Sequence, residues 1–133
     1  MKKARAFLDT NIIVYAFVDD PRSVVAQELL KERCDTSVQA LNEFTHVARR
    51  KLGMSWTEIR AATRAVTALC GTITTISLET HVQALVLAEQ YRFSTYDALM
   101  IASALGGGSD LFYSEDLQHG QAIGPLRIVN PFF

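Results

Sequence analysis

Residues 6–15 read AFLDTNIIVY, and the way this stretch divides decides the fold. A short apolar run over residues 5–8 reads as a buried strand. It stops at Asp9-Thr10-Asn11, and apolar character resumes at once from Ile12 to Val18, which reads as a short helix. A carboxylate and two further polar side chains thus sit at the seam between two segments that both face a core. An unpaired buried carboxylate is costly, so the seam requires either a structural use for Asp9 or a site.

The same alternation continues along the chain. Asp20 and Pro21 are placed as the N-cap and first position of a second helix. A brief extended piece near 34–37 leads into a helix over 38–51. The sequence Ser55-Trp56-Thr57-Glu58 is a capping box, with Met54 and Ile59 spaced as its hydrophobic staple, and opens a helix to Leu69. The β-branched TITTIS at 72–77 reads as a strand, followed by helices over 79–92 and 95–105. The GGGS at 106–109 serves as a helix exit, before strands at 111–113 and 127–129. Short apolar strands alternating with helices predict an α/β fold whose mostly parallel sheet is covered on both faces. No repeat, linker or low-complexity segment interrupts the 133 residues, which are expected to form one domain over 1–133.

In such sheets ligands gather beyond the carboxyl ends of the strands. Asp9 falls one residue past a strand, and Ser114, Glu115 and Asp116 follow another. Asp97 is the one charged side chain between Arg92 and Asp110, on a helix apolar nearly all round. Glu43 falls at the edge of a stripe formed by Ala40, Leu41, Phe44, Val47 and Ala48. Each acid alone has an ordinary explanation: Asp9 as an N-cap, Asp97 as a first-turn complement to the helix dipole, Glu43 as a solvated flank, Asp116 as a turn cap. Together, all four can converge on one sheet edge. Clustered carboxylates raise one another's pKa unless a cation compensates, and an oxygen-only set suits Mg²⁺ or Mn²⁺. Thr10 and Ser114 stand beside two of the acids, where a hydroxyl can orient a carboxylate or a water. His46, His81 and His119 show no zinc-ligand spacing.

Composition sets outer limits. The chain is 49% apolar with a net charge of −1, which fits a cytosolic globular protein and excludes a disordered chain. No apolar run approaches the roughly 18 residues of a membrane span. Lys2 and Lys3 precede an apolar stretch, but Asp9 and Asn11 break it, so a signal peptide is not expected. Cys34 and Cys70 fit no CxxC spacing and read as buried thiols of a reducing compartment. At this net charge, nucleic acid would need a local basic patch. Lys2, Lys3 and Arg5 are candidates, as are Arg49, Arg50 and Lys51, and Arg60 with Arg64 on one helical face. The dipole of a helix C-terminus explains Arg49–Lys51 equally well. Trp56, in the first turn of a capped helix, is read as packing rather than as a platform for a base. His119, close to Asp116, is a further candidate for substrate contact.

The motifs FLDTNIIVYAF, LNEFTHVARRKL, TYDALMIASAL and LFYSEDLQHG, in this order and at this spacing, resemble the PIN domain family. More narrowly they resemble the VapC-type ribonuclease toxins of prokaryotic toxin–antitoxin pairs. The likeness spans essentially the whole chain. It implies a three-layer α/β/α sandwich and a metal-dependent endoribonuclease of the prokaryotic cytoplasm. The family's acidic positions fall on Asp9, Glu43, Asp97 and Asp116, its hydroxyl positions on Thr10 and Ser114, and Asn11 completes the DTN element. By this resemblance Asp9 and Asp97 make the closest contacts to Mg²⁺ or Mn²⁺. Asp116 ligates or completes a second site, and Glu43 holds a water or acts as base. The resemblance also implies an RNA substrate, a homodimer and a small VapB-like antitoxin covering the acidic cleft.

Two rival architectures lack their marker residues. A receiver-like domain needs a mid-chain phosphoacceptor Asp and a late Lys, yet no Asp lies between Asp35 and Asp97 and no Lys follows Lys51. A haloacid-type hydrolase needs a second Asp where Asn11 stands. A PIN scaffold kept for binding alone is the remaining alternative, although all four acids are present.

Overall fold

The computed structural model describes residues 4–133, so the Lys2 and Lys3 candidates lie outside the described residues. Strand β1 (Ala6–Leu8) pairs in parallel with β4 (Leu111–Tyr113), and β4 pairs in parallel with β6 (Leu126–Val129). On its other edge β1 meets the chain just ahead of β2 (Thr36–Ser37). There Leu8 N donates to Asp35 O at 2.8 Å, and Asp35 N donates to Ala6 O at 2.7 Å. β2 in turn pairs in parallel with β3 (Ile73–Thr74). With neighbours on both edges, β1 is interior, which accounts for an apolar run without alternation. Phe7 and Leu8 are fully buried, and the Phe7 and Phe112 rings stack at 5.4 Å.

Parallel pairs need long crossovers, and among the described residues six helices supply them: α1 (Thr10–Tyr15), α2 (Arg22–Leu30), α3 (Val38–Arg50), α4 (Trp56–Leu69), α5 (Leu78–Tyr91) and α6 (Thr95–Gly106). Serine hydroxyls start four of them. Ser37 Oγ accepts from Ala40 N, Ser55 Oγ from Glu58 N, Ser77 Oγ from Thr80 N and Ser94 Oγ from Asp97 N. Each such cap contributes about 1 kcal/mol. The box at Ser55 is complete, since Glu58 Oε1 accepts from Ser55 N at 2.9 Å. Helix α6 has every residue from Ala98 to Ala104 buried, as its near-uniform apolar character requires. The result is the expected sandwich, a mostly parallel sheet flanked by helices.

Some boundaries differ from the sequence reading, each for a local reason. Of TITTIS, Ile73 and Thr74 alone form strand, because β2, the partner across the ladder, offers two residues. Helix α2 begins at Arg22, although Pro21 already has helical φ −54° and Asp20 Oδ1 accepts from Arg22 N at 2.8 Å. A further strand, β5 (Ala122–Ile123), runs antiparallel to β6, so the sheet is not wholly parallel. Its signal was the Gly124-Pro125 pair, since Gly124 takes φ +57° at the first central position of a two-residue hairpin turn.

Candidate functional site

The register of the sheet brings two distant segments together. Leu8 lies opposite Tyr113, so the residues that follow, Asp9 and Ser114, emerge side by side. Asp9 N donates to Tyr113 O at 3.0 Å, and Ser114 N to Val129 O at 3.0 Å. Asp9 is also the N-cap of α1, with Oδ1 accepting from Thr10 N at 2.8 Å. Its other oxygen, Oδ2, accepts from the fully buried Ser114 hydroxyl at 2.8 Å and from Asn11 Nδ2 at 3.3 Å. Capping and site geometry are therefore compatible uses of one carboxylate.

Asn11 ties this pair to Asp116. Its Nδ2 donates to Asp116 Oδ2 at 3.0 Å, while its Oδ1 accepts from Glu115 N at 3.2 Å. Ser114 Oγ accepts from Asp116 N at 3.2 Å. On the opposite side Glu43 Oε2, in the second turn of α3, lies 3.5 Å from Thr10 Oγ1. Asp97, in the first turn of α6, reaches both sides through its charge. Burial is the main cause that pushes Asp9 up to about 7, and the carboxylates of Asp97 and Asp116 push in the same direction against the Ser114 and Thr10 hydrogen bonds. Glu43 is also raised, chiefly by desolvation and then by Asp97, against hydrogen bonds from Gln39 and Thr10. The structure thus brings Asp9, Glu43, Asp97 and Asp116 to one region, with Thr10, Asn11 and Ser114 between them.

No ion pair reaches any of these four acids among the described residues. Nor do three His, Cys, Asp or Glu side chains there form a ready cage for a metal. The donor chemistry nevertheless fits a hard divalent cation, which is commonly held by one or two carboxylates with water completing the shell. Asp9 with Asp97 or Asp116 could supply such a pair of acids, and an arriving cation would offset the burial that chiefly raises Asp9 as well as the smaller repulsion from Asp97 and Asp116. A groove of about 550 Å³ opens beside Glu43, lined by Gln39, Asn42, His46, Val47 and Tyr96.

Other sequence candidates fall elsewhere. Glu115, next to Asp116, is engaged by other groups: it pairs with Arg22 at 3.0 Å and accepts from Tyr15 OH at 2.7 Å. His119 is occupied as well, with Nδ1 accepting from Asn130 N at 3.0 Å and its ring stacked on Phe133. Arg5 pairs with Asp35 at 2.8 Å. Arg49 and Arg50 lie at the end of α3, Lys51 just after it, and Arg60 and Arg64 on α4, where both line a groove with Thr45 of α3. The packing role read for Trp56 is corrected. The indole is 55% exposed, with the Arg49 guanidinium 4.5 Å above the ring, because Ile59, Ala62 and Val66 already fill the buried face of α4.

Gln39 escapes the sequence reading. It is buried, and its Nε2 donates to Glu43 Oε2 at 3.1 Å and to Tyr96 O at 3.3 Å, while Oε1 has no partner among the described residues. Its i,i+4 spacing from Glu43 was the available signal.

Acids gathered beyond the carboxyl ends of a mostly parallel α/β sheet stand where such sheets hold their ligands. Residues 6–122 match the PIN domain, and the chain belongs to that family. Among solved structures, a toxin–antitoxin complex from Klebsiella pneumoniae is similar at a TM-score of 0.72 and 19% identity, over 95% of this chain and 97% of that one. The sarcin–ricin loop cleaving toxin VapC20 of Mycobacterium tuberculosis is similar at a TM-score of 0.61 and 23% identity, over 84% and 89% of the two chains. These likenesses are of fold. No curated protein matches the chain significantly.

Proposed function

We propose that this chain, one PIN domain throughout, is an endoribonuclease dependent on Mg²⁺ or Mn²⁺ and the toxin of a VapBC-type pair. The observation that carries the reading is Asp9: a buried carboxylate pushed to about 7 with two further acids acting on it, and no ion pair among the described residues to offset them. Asp9 and Asp97 are the proposed inner ligands, with Asp116 beside them. A divalent ion held there would supply Lewis acidity at the scissile phosphate and would lower the pKa of an attacking water. Glu43, raised above an ordinary Glu, takes the proton of that water. Ser114 and Asn11 hold the Asp9 and Asp116 carboxylates in place, and Gln39 holds Glu43.

The test is cleavage of RNA with and without EDTA by the purified protein and by Asp9→Asn and Asp97→Asn. Cleavage that survives EDTA, or near-normal turnover in either variant, refutes the assignment. Sequencing the 5′ ends of fragments after brief expression identifies the RNA and its cleavage site. The similar toxin–antitoxin complex supports a small VapB-like antitoxin as partner, and copurification with the product of the adjacent reading frame tests it. A homodimer is supported by helix α5, where Leu78, Val82, Leu85 and Val86 form one apolar face with exposures from 52% to 79%. No helix among the described residues is long and apolar enough to cross a membrane, and we assign the protein to the prokaryotic cytoplasm.

A further inference from the structure

We infer that the α3–α4 hairpin carries a second RNA-contacting surface, apart from the carboxylates, which stacks one unpaired base on Trp56 and holds the adjoining phosphates with Arg60 and Arg64. This rests on the ribonuclease reading for the identity of the polyanion, and goes beyond it in assigning a surface that does no chemistry.

Three observations converge there. Trp56, the single tryptophan of the chain, stands more than half exposed although its helix has a filled apolar face. One side of the indole carries the Arg49 guanidinium at 4.5 Å. Beside it runs a groove of about 390 Å³ lined by Thr45, Trp56, Ile59, Arg60, Thr63 and Arg64. The cations there lack acidic partners: among the described residues, no ion pair includes Arg49, Arg50, Lys51, Arg60 or Arg64. Between Val38 and Leu69 these five cations face two acids, Glu43 and Glu58, in a chain whose net charge is −1.

An apolar partner would fill the groove but leave that charge uncompensated. A nucleotide strand satisfies both features, since every base has a face to stack and every link carries a phosphate. Helical geometry sets Thr45, on the wall of this groove, roughly 200° around α3 from Glu43. The surface therefore acts on substrate capture, and its loss raises KM while leaving kcat in place.

The fluorescence of Trp56 reports the contact directly. A short single-stranded oligoribonucleotide is titrated into the whole protein in EDTA, so that binding is read without cleavage. Quenching is expected to saturate, with affinity falling as salt rises. Followed by anisotropy of labelled RNA, Trp56→Ala binds roughly 5- to 150-fold more weakly, and Trp56→Phe recovers most of the loss. Arg60→Glu with Arg64→Glu lowers the log–log salt slope by about 1.4, the share of two phosphates on a single strand. Circular dichroism establishes that each variant is folded. RNA binding that leaves the fluorescence unchanged and is equal in all variants overturns the inference. So does quenching by an acidic peptide as strong as that by RNA, which would make the surface a protein-docking site. Should the wild type cleave no RNA yet bind it through Trp56, the nuclease reading falls and this one stands. Cleavage with an unchanged KM in Trp56→Ala leaves the nuclease reading standing and removes this surface.

Discussion

The Ser114 hydroxyl donates to Oδ2 of Asp9 at 2.8 Å across 105 residues of sequence. Both groups are buried, and a hydrogen bond to an ionised acid in such surroundings favours the charged form. The bond therefore works against the burial that raises Asp9, and keeps the carboxylate aimed where Asp97 and Asp116 also act.

Asp9→Asn is expected to abolish cleavage and to stabilise the fold above neutrality. The folded state holds the Asp9 proton to about 7, against an ordinary value of 3.8. Its contribution is thus complete below about 4 and lost as the pH rises through 7. Urea denaturation from pH 5 to pH 8.5 checks this: wild-type stability should decline across the interval more steeply than that of the variant. Parallel curves would remove Asp9 as the titrating group.

Divalent cations should bind more weakly in acid. Occupation of Asp9 requires loss of its proton, so affinity for Mg²⁺ falls toward tenfold per pH unit below about 7 and levels off above it. Calorimetry of metal binding at several pH values measures the dependence, together with the protons released. Affinity constant from pH 6 to pH 8 would place the ion elsewhere.

Asp97→Asn should abolish cleavage and lower the pKa of both Asp9 and Glu43, since its charge raises each of them. The Ser94 cap bonds the backbone N–H of residue 97 and survives the change, so melting temperature should stay within a few degrees. Carboxyl NMR titration of the variant distinguishes this shared influence from a merely local one, in which neither neighbour would move.

Gln39→Leu removes the donor at 3.1 Å from Glu43 and should raise Glu43 further, moving the acid limb of the pH–rate profile upward. Turnover is expected to fall roughly 10- to 150-fold at neutral pH, in line with the 1.5–3 kcal/mol of a hydrogen bond to a charged group. An unchanged profile would mean that Gln39 serves packing alone.

Val82→Glu with Val86→Glu places charge on the exposed apolar face of α5. If that face joins two copies, sedimentation should shift from dimer to monomer with helical content retained. A dimer that persists would assign the contact to another surface.

Much of the architecture is legible along the chain. The capping box at Ser55 stands where its four residues predict it, because its bonds are local. Helix α6 reads as buried from its composition, and Ala98–Ala104 are buried. Strand β1 is legible because an interior parallel strand is apolar throughout. TITTIS overstates its strand because β-propensity says how well a residue suits a pleated surface, and not whether a partner strand is present. Trp56 misleads for a related reason: periodicity marks which side of α4 can be buried, but not whether Ile59, Ala62 and Val66 have already filled it.

For the site, the chain order of four acids at these spacings, with Thr10, Asn11 and Ser114 beside them, is available from the residues and their family likeness. Their meeting is not. The separation of Asp9 from Ser114 is closed by the Leu8–Tyr113 register, which depends on backbone pairing across the sheet. The elevation of Asp9 to about 7 depends on how much solvent the surrounding helices exclude. The different fates of Glu115, paired with Arg22, and Asp116, held by Asn11, depend on which neighbours reach each of two adjacent acids. Local bonds and periodic patterns act over a few residues and can be read along the chain. Pairing register, desolvation and charge proximity act through space, and required the folded molecule.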